Sequence, residues 1–195
     1  DMSAPTCIVT PTHNNEDLTI RCFDSIRRHT SDYLIVWVDN GSSAASRGRV
    51  GAFLEQNRVP HVKILLPENL GFAGATNIGM RYAVEHDARH IVLQNNDTEV
   101  FDGWLGRLVR AAERDPRIGL VGPLSSPCAS WQSVDNLKQT HPRFHDLPDY
   151  GGDPEEYART LGAAFDGQTV ESSVQLAFFS VLMTAGLVAD IGVLS

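Results

Sequence analysis

The sequence predicts an α/β fold, a mostly parallel sheet with helices on both faces. Three observations predict it. Short apolar runs alternate with segments of helical periodicity through the first two thirds of the 195-residue chain, the signature of successive β-α-β units. One of these runs, Tyr33-Leu34-Ile35-Val36-Trp37-Val38, is apolar without alternation, as in a strand covered on both faces. The runs also stop at polar, turn-forming residues, and right-handed crossovers gather such strand ends on a single rim.

The elements follow in order. Cys7-Ile8-Val9-Thr10 is a short strand ending at Pro11. Asn14 or Asn15 caps a helix with Glu16 and Asp17 in its first turn, and Leu18, Cys22 and Ile26 line one face beside Phe23. Arg27, Arg28 and His29 suit the negative end of its dipole. The second strand, Tyr33 to Val38, gives way to the turn Asp39-Asn40-Gly41-Ser42-Ser43. A helix over Ser46–Asn57 is expected to bury Val50, Phe53 and Leu54. Val62 to Leu66 is the third strand, and a helix from Gly74 to His86 turns Ile78, Tyr82 and Ala83 inward. Ile91 to Gln94 is the fourth strand. The next helix, from Phe101-Asp102 to Asp115, buries Leu105, Leu108, Val109 and Ala112, and Ile118 to Gly122 is the fifth strand.

After Ser126 the pattern changes. Pro127 to Thr169 is rich in Pro, Gly, His and Asp, with a short helix near Pro154 to Leu161, and long excursions of this kind are usually functional or mobile. Val174 to Met183 is apolar again and predicts a further core strand, with a helix starting near Ala185.

Composition narrows the function. A net charge of −8 argues against a nucleic-acid binder, which needs a basic face, but leaves room for a local pocket that takes a phosphorylated small molecule. Cys7, Cys22 and Cys128 are odd in number and have no metal-like spacing, so Cys7 and Cys22 read as reduced packing residues of a cytosolic protein. The longest apolar stretch, Leu176 to Ala189, contains Ser and Thr and is too short to span a bilayer.

The polar clusters carry the chemistry. Leu93-Gln94-Asn95-Asn96-Asp97-Thr98-Glu99 puts a carboxylate at the carboxyl edge of a sheet, where open α/β folds bind ligands, and such an Asp can hold a divalent cation and through it a diphosphate. A helix cap or turn residue is the competing reading. Asp39 can read the N–H edge of a pyrimidine or a ribose hydroxyl, or simply start an Asx-turn. Asn69-Leu70-Gly71-Phe72-Ala73-Gly74-Ala75-Thr76-Asn77 is Gly-rich and opens a helix, which suits close approach to a phosphate and equally close packing on the sheet. It is neither G-x-G-x-x-G nor a P-loop.

Together with Val9-Thr10-Pro11-Thr12-His13-Asn14, these segments in this order resemble the family 2 glycosyltransferases, whose fold is the Rossmann-like GT-A fold. The wording of Asn69-Leu70-Gly71-Phe72-Ala73 and Asn95-Asn96-Asp97-Thr98 is most similar to the bacterial branch that builds O-antigen and other surface polysaccharides, rhamnosyltransferases included. The resemblance covers residues 6 to 126 well and residues 174 to 194 more weakly. It implies one GT-A domain over 1–195: a nucleotide-binding half (1–126), an acceptor-side excursion (127–173) and the start of the acceptor half (174–195).

The resemblance also implies roles. Pro11, Thr12 and Asn14 border the nucleoside, Asp39 binds the pyrimidine or ribose, and Asn69, Gly71 and Asn77 lie beside the nucleotide. Asn95-Asn96-Asp97 takes the place of the family's Asp-x-Asp: Asn95 and Asn96 would be nucleotide contacts, and Asp97 the remaining carboxylate for Mg²⁺ or Mn²⁺. The donor it implies is a nucleotide-diphosphate sugar linked to UDP or dTDP, and the acceptor a glycan or lipid-linked saccharide; with no apolar stretch long enough to span a bilayer, a cytoplasmic enzyme is expected, one that meets a lipid-linked acceptor by peripheral association at the inner membrane face. The reaction is a single displacement that inverts the anomeric centre, with a carboxylate as general base. In the family that base lies beyond an Ile-Gly matched here by Ile191-Gly192, so it is expected beyond Ser195, and the chain is expected to be C-terminally truncated. Trp131, Tyr150 and Tyr157 are candidates to stack on sugar rings, with ordinary packing the alternative.

Two other classes compete. A sugar-nucleotidyltransferase would begin with a Gly-rich loop carrying Arg or Lys, which Thr10-Pro11-Thr12-His13-Asn14 lacks. A noncatalytic module that binds a sugar nucleotide or glycan would need no base at all.

Overall fold

The structure, a computed structural model, describes residues 6–125, 132–147, 149–171 and 176–194. Its sheet has six strands: β1 (Thr6–Thr12), β2 (Tyr33–Asn40), β3 (His61–Leu66), β4 (His90–Gln94), β5 (Leu120–Val121) and β6 (Ser180–Thr184). The spatial order is β3-β2-β1-β4-β6-β5. The first four are parallel, and β6 lies antiparallel between β4 and β5.

Helices α1 (Glu16–His29), α2 (Ala44–Gln56), α3 (Gly71–Glu85) and α4 (Trp104–Ala112) connect the parallel strands and lead into β5. The uninterrupted apolar strands are explained by two cores. Ile8, Ile35, Trp37, Val92 and Leu182 face α1, α2 and α4, where Cys22, Phe23, Ile26, Leu54 and Leu108 meet them. Cys7, Val9, Val36, Val38, Leu93 and Val181 face the opposite way, against Ala75, Met80 and Ala83 of α3 and Val188 of α7 (Ala185–Ile191).

Several expectations are corrected. Leu18 is exposed, because the buried face of α1 is set by Thr19, Cys22, Phe23 and Ile26, an i, i+3, i+4, i+7 stripe that leaves Leu18 outside it. In α3 small residues make the inward face: Ala75, Thr76, Gly79, Met80 and Ala83 are buried, whereas Ile78 and Tyr82 are only half-buried. A Cβ on Gly79 would lie 2.4 Å from Val9 Cγ1, so only glycine lets this helix lie so close to β1. The fifth strand, expected over Ile118–Gly122, is just two residues long, Leu120–Val121, and pairs with β6. Of the predicted 174–183 strand, residues 180–183 lie in β6, which runs on to Thr184; 176–179 are not strand, and 174–175 lie outside the described residues.

The excursion has more structure than its composition suggests. Helices α5 (Val134–Thr140) and α6 (Pro154–Phe165), with a 3₁₀ turn over Pro142–Phe144, enclose a small core of Val134, Leu137, Phe144, Leu147 and Tyr157. The cap of α6 is Asp153, whose Oδ1 accepts from Glu155 N and Glu156 N. No helix among the described residues is long and apolar enough to cross a membrane.

Candidate functional site

The rim where β1, β2 and β3 end is a hydrogen-bonded unit. Asn40, the last residue of β2, ties it to the next loop: its Nδ2 donates to Asn69 Oδ1 (2.9 Å) and Gly71 O (3.1 Å), and its Oδ1 accepts from Leu70 N (2.8 Å). Asn69 Oδ1 also accepts from Gly71 N at 2.8 Å. Gly41 permits this approach, since it has φ +77° and a Cβ there would lie 2.5 Å from the Glu68 carbonyl carbon. On the β1 side, Asn14 N donates to Ser42 Oγ (2.8 Å) and Asn14 Oδ1 accepts from Ser43 N (3.0 Å). His13 Nδ1 donates to Asn40 O at 2.9 Å. Both Asn14 and Asn15 adopt left-handed backbone (φ 54° and 55°), a conformation asparagine tolerates well, and Asn15 caps α1 without a side-chain bond.

Asp39 lies at the centre of this rim with its side chain 1% exposed. Its Oδ1 accepts from Ser42 N (3.1 Å), Arg47 Nε (3.0 Å) and Arg47 Nη2 (2.7 Å). The Arg47 Nη2 also donates to Leu66 O at 3.3 Å, so one guanidinium spans the ends of β2 and β3. Arg47 and Asn40 are the site residues that sequence reasoning missed. An Arg in the first turn of a helix looks solvated, and only its distance from Asp39 in space reveals its part.

The other candidates divide. Thr12 is buried, and its Oγ1 accepts from Trp37 Nε1 at 2.8 Å, while Pro11 beside it is half-buried. The Asn77 amide pairs with the backbone of Leu194, donating to its O (2.7 Å) and accepting from its N (2.9 Å), so it joins α3 to the segment after α7. Asn96 faces α1 and donates to Thr19 Oγ1 at 2.9 Å. Asn95 O accepts from Thr98 Oγ1 (2.8 Å) and Cys22 Sγ (3.5 Å), and Asn95 N donates to Phe179 O (2.9 Å). These bonds fix the turn that carries Asp97, which is itself exposed.

Asn95 and Asp97 open onto a cleft of about 2020 Å³ between the end of β4, α4, the excursion and Phe178–Ser180. Its far wall is held from α4 and the turn after it: Arg107 Nε and Arg110 Nη2 both donate to Asp166 Oδ1 at 3.0 Å, and Arg114 Nη1, just past the helix, donates to Thr169 Oγ1 at 2.8 Å. Hydrogen bonding to Arg107 holds the Asp166 carboxyl below its ordinary range. Tyr157 lies in the small core of the excursion and meets the exposed Tyr150 edge-on, with ring centroids 5.5 Å apart. Trp131 and Cys128 lie outside the described residues.

Among the described residues, no three His, Cys, Asp or Glu side chains cluster to hold a metal. Asp97 alone can therefore supply only part of the oxygen shell of Mg²⁺ or Mn²⁺, and phosphate oxygens and water would have to supply the rest. Of the carboxylates that line the cleft, Asp97 lies on the turn at the end of β4, and an exposed carboxylate there fits a cation that arrives with a diphosphate.

The mostly parallel sheet, with a polar rim at its strand ends and a wide cleft at the end of β4, has the architecture of the GT-A glycosyltransferases to which it is similar. The model of Glycosyl transferase family 2 matches residues 7–158, and the chain belongs to that family. It is 31% identical over 122 residues to uncharacterized proteins of Mycobacterium tuberculosis and Mycobacterium bovis, covering 60% of this chain and 40% of each relative. Among solved structures, a mannosyltransferase from Pyrobaculum calidifontis in complex with GDP-Man and Mn²⁺ superposes with TM-score 0.67 at 16% identity, over 98% of this chain and 47% of that one. S. aureus TarS gives 0.60 at 13% identity, over 95% and 48% of the two chains. Glucosyl-3-phosphoglycerate synthase from M. tuberculosis, with Mg²⁺ and UDP, gives 0.54 at 14% identity, over 96% and 60%. The chain thus spans about half the length of the proteins it is similar to.

Proposed function

We propose that this chain forms the donor-binding half (1–126) of an inverting glycosyltransferase, together with an acceptor-side excursion (127–173) and the start of the acceptor half (174–195). The enzyme would move a sugar from a UDP- or dTDP-linked donor, rhamnose among the candidates, to a glycan or lipid-linked acceptor in surface polysaccharide synthesis. We place it in the cytoplasm, at the inner face of the membrane when the acceptor is lipid-linked. The observation that carries this reading is the position of Asp97: exposed, at the end of a central strand, on a turn fixed by Thr98, Cys22 and Phe179, and facing a cleft large enough for a nucleotide sugar. Structural neighbours in complex with GDP-Man and Mn²⁺, or with Mg²⁺ and UDP, support it.

In this reading the nucleoside lies along the rim made by Pro11, Thr12, Asn14, Asp39, Asn69 and Gly71, with Asn77, Asn95 and Asn96 supporting its bed. Uracil and thymine present the same N–H edge to a carboxylate, so Asp39 accommodates either. Arg47 holds that carboxylate in place. Asp97 would hold Mg²⁺ or Mn²⁺, and the cation would offset charge on the departing diphosphate.

Calorimetric titration with UDP, dTDP and GDP, each with and without Mn²⁺, tests the assignment. One pyrimidine diphosphate is expected to bind more tightly with metal, and Asp97→Ala is expected to weaken that metal-dependent binding roughly tenfold or more. Metal-independent binding that Asp97→Ala leaves unchanged would refute the role of Asp97.

A further inference from the structure

Two polar side chains on the floor of the cleft have no role in the account above. Gln94 and Ser180 are register partners across β4 and β6. They point to the same side of the sheet, because Val92 and Leu182, two residues away on each strand, both belong to the core under α1 and α4. Both residues line the cleft, and neither is more than 3% exposed. Gln94 Oε1 and Ser180 Oγ are buried without a hydrogen-bond partner, a rare condition in a folded protein.

The orientation of the Gln94 amide follows from its neighbours. The single proton of the Thr98 hydroxyl goes to Asn95 O, so Thr98 Oγ1 can only accept from Gln94 Nε2. Oε1 is the end left over, and it can take only an O–H or N–H donor. Ser180 Oγ can both give and accept a hydrogen bond. A sugar hydroxyl satisfies both. Gln94 ends β4 three residues before Asp97 and its amide bonds Thr98 on the turn that carries Asp97, and both residues line the same cleft.

We propose that Gln94 Oε1 and Ser180 Oγ read the hydroxyls of the sugar carried by the nucleotide donor. The proposal rests on the donor-binding reading and adds to it the pair that distinguishes a sugar nucleotide from its parent diphosphate. Asp97 and the rim would serve both ligands equally, whereas Gln94 and Ser180 would be felt only when the sugar is present.

The test is the ratio of two affinities in the full-length protein with Mn²⁺. Calorimetry gives Kd for UDP-glucose, UDP-N-acetylglucosamine and dTDP-rhamnose, and for the parent UDP and dTDP. The ratio of parent to sugar-nucleotide Kd is then compared in wild type, Gln94→Leu and Ser180→Ala. Each variant is expected to shrink that ratio about three- to tenfold for the tightest sugar nucleotide, with parent affinity within about twofold of wild type. Ser180→Ala deletes one atom and keeps the test meaningful if Gln94→Leu fails to fold. Parent diphosphates that bind normally, with a ratio that both folded variants leave unchanged, would overturn the proposal. If no diphosphate binds the folded wild type, the donor-binding reading fails, and this proposal falls with it.

Discussion

Replacing Arg47 by methionine is expected to destabilise the protein more than replacing its partner Asp39 by asparagine, although both changes break one ion pair. The asymmetry comes from burial. The Asp39 side chain is 1% exposed and that of Arg47 32% exposed. Asp39→Asn keeps an oxygen for Ser42 N and for the guanidinium, and Arg47 can recover hydration, so the loss is about 1 kcal/mol, that of exchanging a charge-assisted bond for a neutral one. Arg47→Met retains most of the packed stem but leaves a buried carboxylate with Ser42 N as its remaining donor. Breaking a buried pair from this side costs about 3–5 kcal/mol, and the partial exposure of Arg47 puts the expected value near ~3 kcal/mol. The double variant should recover much of that loss, because the stranded charge is gone. Urea denaturation at neutral pH with unchanged m-values measures all three, and a loss of ~3 kcal/mol moves the midpoint by roughly 1–2 M. Equal losses for the two single variants would refute the reasoning, since they would mean that water reaches Asp39 as freely as it reaches Arg47.

Other consequences follow from the packing. Gly79→Ala gains helix propensity of about 1 kcal/mol, but its Cβ would meet Val9 Cγ1 at 2.4 Å and Val38 Cγ2 at 3.0 Å; a net loss of ~1–2 kcal/mol is expected, visible as a lower Tm and relieved by Val9→Ala. Burial lowers the pKa of His90 below its ordinary 6.5, so its contribution to stability is present above that value and is lost as the pH falls through the folded pKa. His90→Phe should flatten this part of the stability profile, and an unaltered profile would count against it. Burial pushes the thiols of Cys7 and Cys22 up to about 11 and about 12. Neither should be alkylated by iodoacetamide at pH 8 in the native protein, and peptide mapping that finds rapid modification of Cys22 would contradict the packing described for α1.

The parallel half of the fold was legible because its signals are local. Tyr33 to Val38 is apolar at every position, and Asp39 and Asn69 mark the strand ends through their turn chemistry. The insertion of β6 was not legible: periodicity identifies an apolar strand but carries no record of which edge it joins. Helix α5 escaped for a related reason. It has seven residues and depends on Val134 and Leu137 packing against Phe144 and Tyr157, contacts made outside its own sequence. At the rim, Asp39 and Asp97 were singled out from residue type and position at strand ends, and Asn14 from the family resemblance. Arg47 was not, because its function is defined by a carboxylate eight residues earlier. The inward commitments of Thr12 to Trp37 and Asn96 to Thr19 were hidden for the same reason, since residue type gives chemistry but not direction.

The antiparallel insertion of β6 has a consequence for how the chain is made. During synthesis β1 to β4 can dock in order, each beside a strand already present, but the free edge of β4 waits for residues 180–184, nearly ninety positions later. Throughout that interval the growing protein presents Ile91-Val92-Leu93 as an open, apolar edge, the kind of template on which neighbouring chains pair and aggregate. The excursion therefore sets a delay before that edge is covered, and its small core gives the excursion helices somewhere to pack while the outer edge of β4 waits for β6.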